Sequence, residues 1–115
     1  MKVAINDGIG GFYINETAFR KMIEYGYVDE IWKKMFGSIE AGVEWEINVC
    51  DGHIYIIDDK KRANPILIRV LEELGLENCS NAKLKIIEIP DNIEWYIDEC
   101  DDGTEFIHEK HRQWW

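Results

Sequence analysis

Apolar residues recur along this chain with two different periods, and the points where the period changes mark its elements. Lys2 to Asn6 is a short β-type run, ended by Asp7-Gly8-Ile9-Gly10-Gly11, a glycine-rich break that regular structure tolerates poorly. Asn15 is a good N-cap, after which Ala18, Phe19, Met22 and Ile23 recur at helical spacing as far as Gly26. Val28, Ile31, Trp32, Met35 and Phe36 form an i, i+3, i+4, i+7, i+8 stripe, which predicts a second helix to about Gly37. A Met and aromatic stripe of this kind ordinarily belongs to a core. From Val43 the period becomes two: Val43, Trp45, Ile47 and Val49 alternate with Glu44, Glu46, Asn48 and Cys50, predicting a strand with one wet face. Asp51-Gly52 is a favoured hairpin turn, expected to return the chain through His53 to Asp58 with Ile54 and Ile56 on the same apolar face.

Lys60-Lys61-Arg62 reads as a solvated basic loop. Asn64-Pro65 opens a third helix, since proline at the first helical position loses no needed donor. Ile66, Leu67, Val70, Leu71 and Leu74 are its buried face, and Gly75 is its stop. A polar loop through Asn81 leads to a strand over Lys83–Ile89. After Pro90-Asp91-Asn92, Ile93 to Cys100 alternates again, with Ile93, Trp95 and Ile97 on one face. Asp101-Asp102-Gly103 is a turn, and Thr104 to Glu109 reads as the last strand of a meander, with a short helix from Glu105 as the competing reading. There is no internal repeat and no low-complexity segment. These elements predict a single α+β domain over residues 1–115, with a mostly antiparallel sheet and about three helices packed on one face.

Composition sharpens this picture. A chain of 115 residues, 46% of them hydrophobic, buries about two-thirds of its unfolded surface and needs neither disulfide nor metal to fold. The balance of 13 Lys and Arg against 23 Asp and Glu gives a formal charge of −10, which opposes direct binding to nucleic acid and to anionic membranes. No apolar run approaches the roughly 20 residues of a membrane span, so a soluble, cytoplasmic protein is expected. Cys50, Cys79 and Cys100 lack CxxC spacing and read as small thiols, buried or partly so. Cys50 and His53 would face each other beside the predicted hairpin, where they could hold a metal or activate a thiolate, but no third ligand accompanies them. Five tryptophans and several strand edges favour a homo-oligomer.

KVAIN followed by a Gly-Gly-Phe turn, then NPILIRVLEELG, then AKLKIIEIPDNIEWYIDECDDGTEFIHEKHRQW resembles a family of small proteins encoded by phages and prophages. The likeness spans nearly the whole chain, with a variable middle between Gly26 and Asn64. It falls on Gly10, Gly11 and Phe12, on Pro65 and the Leu74-Gly75 helix end, and on Trp95, His108, His111, Arg112 and Trp114. The family often carries a cysteine after its first strand, where this chain has Asp7. The resemblance implies a small non-enzymatic binding protein in the cytoplasm of a bacterial host, one that inhibits antiviral defence by sequestering a nucleotide signal or by docking on an immune protein.

The residues that could hold a ligand lie at two places. Backbone amides of Gly8, Gly10 and Gly11 could face an anion between strand and helix, although the run is neither a GxGxxG nor a Walker loop and a tight structural turn is the plainer reading. Arg112, flanked by His108, His111 and Trp114, offers a guanidinium fork for phosphate or carboxylate and an indole for a base; pairing with a neighbouring carboxylate is its plainer role. Gly10, Gly11, Phe12, Trp95, His108, His111, Arg112 and Trp114 are therefore the ligand-binding candidates, with a host protein or a small anionic nucleotide as partner and no cofactor. No catalytic set stands out. A small enzyme using a metal or thiol at Cys50, His53, His108 or His111 is the alternative, and an acidic DNA mimic a further one.

Overall fold

The computed structural model describes residues 1–28, 30–50 and 52–109. Two of its helices begin at asparagine caps that the sequence offers. Asn15 accepts from the Ala18 N–H at 2.9 Å to start α1 (Glu16–Glu24), and Asn64 accepts from the Ile66 N–H at 2.8 Å to start α4 (Pro65–Leu74). Between them stand α2 (Glu30–Phe36) and α3 (Ile39–Val49), and a short α5 (Leu76–Cys79) follows α4. The strands are β1 (Lys2–Asn6), β2 (Tyr13–Ile14), β3 (Ile54–Tyr55), β4 (Leu84–Glu88), β5 (Trp95–Glu99) and β6 (Glu105–Glu109). They pair antiparallel as β1–β4, β2–β3 and β5–β6. The fold is α+β, as the patterning predicts, with its strands divided into three two-stranded ladders among the described residues. No helix among these residues is long and apolar enough to cross a membrane.

The β1–β4 ladder, running from Lys2↔Glu88 to Asn6↔Leu84, sits between two apolar clusters. Ala4 faces the helical side, where Phe19, Met22, Leu67 and Leu71 close on Ile14 and Ile54. Val3 and Ile5 face the other way, onto Trp95 with Ile87, Ile93, Ile97 and Ile107 around it. Both faces of β1 are thus covered, which explains its unbroken apolar run Val3-Ala4-Ile5. The layers are helices, ladder, and the β5–β6 hairpin.

Three expectations change. Residues 43–49 form most of α3, not a strand, with Cys50 as its C-cap: Ser38 accepts from the Ala41 N–H at 3.1 Å as the N-cap, while Gly42 and Val43 are buried and Ile39 and Ile47 pack against the helical core. Trp45 and Val49, which an alternating strand would place with Val43, are 49% and 58% exposed. Gly52 donates to the Ile47 carbonyl at 3.0 Å and closes α3, so the expected hairpin is absent there; Asp51 lies outside the described residues. The C-terminal meander is instead a hairpin, because β4 takes β1 as its partner and β5 pairs with β6. Finally, the basic run lies in a 3-10 turn (Asp59–Ala63) whose Arg62 is buried, against the expectation of a solvated loop.

Candidate protein-docking face

Asn6, Arg62 and Glu105 form a buried polar network that fixes the hairpin to the body. The Arg62 guanidinium forks onto the Glu105 carboxylate at 2.6 and 2.8 Å and donates through Nε to the Ile56 carbonyl at 2.6 Å. It lies 3.8 Å above the Phe12 ring. Glu105 also accepts from the Asn6 N–H at 2.8 Å. The Asn6 amide donates to the carbonyls of Gly8, Gly10 and Gly103, tying the glycine-rich loop to the β5–β6 turn. Gly10 N–H reaches the Asp102 carbonyl at 2.7 Å, Thr104 Oγ1 donates to the Gly8 carbonyl at 3.1 Å, and Asp59 accepts from the Ile97 N–H at 3.0 Å. Gly103 has φ +94°, and a Cβ there would fall 1.9 Å from the Gly10 carbonyl oxygen, so only glycine fits this contact.

These contacts occupy two of the three glycine amides named above. The Gly8 and Gly10 amides are already spent, on Asn6 Oδ1 and on Asp102, and the loop turns carbonyls inward rather than amides toward an anion. Gly11 lies against the Tyr55 ring, and Phe12 is 2% exposed beneath Arg62. A cavity of about 290 Å³ touches Gly11, Phe12 and Arg62, but Asp59, Glu99 and Glu105 also line it and the Arg62 fork is filled. Such a lining repels phosphate. Trp95 is buried against Val3 and Ile5, with the Lys60 ammonium 5.4 Å from its ring centre, and is core rather than binding surface. His111, Arg112 and Trp114 lie outside the described residues.

His108 is the candidate that the structure leaves open to a partner. The β5–β6 register sets Tyr96 opposite His108 and Asp98 opposite Phe106, so these four side chains share the outward face. The Tyr96 and His108 rings stack at 5.4 Å, and His108 Nε2 stands 3.6 Å from Asp98 Oδ2. Tyr96 is 38% exposed and Phe106 49%. From Glu88 to Glu109 the chain has nine carboxylates and neither lysine nor arginine; of the nine, Glu105 alone is buried. The Thr104 backbone N–H, donating at 3.0 Å, holds the Asp102 carboxyl below its ordinary range, which keeps the hairpin tip charged. The arrangement is an aromatic centre among carboxylates on a hairpin tied to the body by the Asn6–Arg62–Glu105 network.

The expected Cys50–His53 juxtaposition across a hairpin does not form. His53 donates its backbone N–H to the Cys50 carbonyl at 3.0 Å, and its ring stacks on Tyr13 at 3.9 Å. Among the described residues no group of three or more His, Cys, Asp and Glu side chains is placed to hold a metal ion. Cys79 is fully buried and its thiol is pushed up to about 11, chiefly by burial. Cys100 is exposed. Compared with family models, with curated proteins and with solved structures, the chain matches none of them.

Proposed function

We propose that this is a non-enzymatic binding protein that docks on a basic protein surface through the outward face of β5–β6. In the phage setting that the sequence resemblance implies, the partner is a host immune protein and the outcome is inhibition of antiviral defence. The observation that carries this reading is the placement of Tyr96, Phe106 and His108 on one face of a hairpin whose own segment, residues 88–109, has nine carboxylates and no lysine or arginine. Aromatic side chains at the centre of an interface supply most of its affinity, while a charged surround speeds encounter and selects the oppositely charged partner. The hairpin's anchorage through Arg62–Glu105 supports the reading too, since a preordered face loses little entropy on binding.

The test is binding to basic host defence proteins by biolayer interferometry. Affinity is expected to fall steeply as salt rises from about 50 to 200 mM, through screening of exposed charges. The double variant Tyr96→Ala/Phe106→Ala is expected to weaken binding by more than about 30-fold, the scale of a central aromatic pair. The nucleotide-sponge reading rests on Arg112, and its signature is different: a cyclic-nucleotide panel would raise the melting temperature of the wild type but not of Arg112→Ala. That outcome, with no protein binding, would overturn docking.

A further inference from the structure

A second hollow, of about 380 Å³, opens between the helices and β3, with no residue of β5 or β6 in its lining. Its apolar walls include Phe19, Tyr27, Trp32 and Tyr55, and its carboxylates are Glu46 and Asp58. The Phe19 ring stands 5.3 Å from Trp32 and 5.7 Å from Tyr27, so three rings from α1, the following loop and α2 form one aromatic cluster. Glu46 reaches this hollow from α3, and Asp58 precedes the 3-10 turn, accepting from the Lys60 N–H at 2.9 Å. Lys61 also lines the hollow, so its charged lining among the described residues is Glu46, Asp58 and Lys61.

The chemistry of this lining selects one class of occupant. Aromatic faces carry negative quadrupole charge and attract cations, most strongly where water is excluded. The Glu46 carboxyl is pushed above its ordinary range by burial, opposed by the Tyr55 backbone N–H. An anion would meet the Glu46 and Asp58 carboxylates, and a neutral apolar molecule would bury Glu46 further with nothing in return. The volume is at the small end for ligand pockets, about the size for one compact molecule or one long side chain.

We infer that this pocket is a binding site for an organic monocation of alkylammonium or guanidinium type, held between the Phe19, Tyr27 and Trp32 rings and the Glu46 carboxylate. The site does not depend on the docking face.

Calorimetric titration of the full chain with butylammonium, methylguanidinium and a capped Gly-Lys-Gly peptide tests it, with butan-1-ol as the neutral control. Saturable binding of the cations at about 1 mM or tighter is expected, with none for the alcohol. Glu46→Gln, which keeps shape and hydrogen bonding, is expected to weaken cation binding at least about fivefold, the loss of one partly buried charge contact. Trp32→Leu is expected to weaken it also, and Trp32→Phe to restore part of it. A peptide that binds at least tenfold tighter than butylammonium assigns the cation to a partner's side chain, and equal affinities assign it to a free amine. The inference falls if butan-1-ol binds as well as butylammonium, or if no cation saturates the wild type. Docking on a basic protein that persists without cation binding overturns this inference alone.

Discussion

Arg62 shows how much a single residue's meaning depends on the fold around it. In the sequence it closes a run of three cations that all look solvated; in the structure Lys60 lies over the Trp95 ring while Arg62 is 4% exposed and forked onto Glu105. Nothing in residues 60–62 marks the difference, because the carboxylate it meets lies 43 positions later. Glu105 is equally hidden, one acid among nine in its segment. Removing either partner leaves an uncompensated buried charge, so Arg62→Met and Glu105→Gln should each cost about 3–5 kcal/mol in urea unfolding. The double variant should cost less than the two together, by about 1–3 kcal/mol of coupling. Strict additivity would mean that the pair does not interact as described. Gly10, Gly11 and Phe12 were legible as a turn, and the turn is structural: it closes on Asn6 and Gly103.

At the scale of elements, the capping asparagines held, while alternation held at residues 95–99 and failed at residues 43–49. Asn15 and Asn64 each start a helix as the sequence indicates, and Lys2–Asn6, Leu84–Glu88 and Trp95–Glu99 fall within their predicted runs. Residues 39–49 fit two periods at once, since Ile39, Val43 and Ile47 are spaced for one helical face while odd positions from 43 to 49 are all apolar. Helix wins because its packing partner, α2, is immediately adjacent. Gly42 is the point of closest approach: a Cβ there would lie 2.5 Å from Trp32 Cε3 and 3.1 Å from Phe36 Cδ2. Alanine ordinarily stabilises a helix interior by about 1 kcal/mol over glycine. Here overpacking should dominate, so Gly42→Ala is expected to lower stability by about 1–3 kcal/mol with unchanged helical circular dichroism. A raised unfolding midpoint would contradict the α2–α3 packing. The same crossing shapes the cation pocket, whose Trp32 and Glu46 come from these two helices.

For the whole molecule the charge of −10 is unevenly spread. Exposed pairs such as Lys2–Glu72 and Arg69–Glu73 balance the helical side, whereas residues 88–109 carry no lysine or arginine. Surface pairs contribute little and like-charge repulsion accumulates, so raising sodium chloride from about 50 to 500 mM should raise the melting temperature. A decrease would mean that the surface pairs outweigh the repulsion. The overall charge was legible in the sequence, but its gathering around Tyr96 and Phe106 required the β5–β6 register. The position of β1 has a further consequence, during synthesis. Lys2 pairs with Glu88, and Val3 and Ile5 await Trp95 and Ile107. At translation rates of about 5–20 residues per second, the ribosome makes β1 about 5–20 s before β6 is complete. Until then the Val3 and Ile5 side of the strand lacks its hairpin cover, an apolar surface of the kind a chaperone would shield on the growing chain.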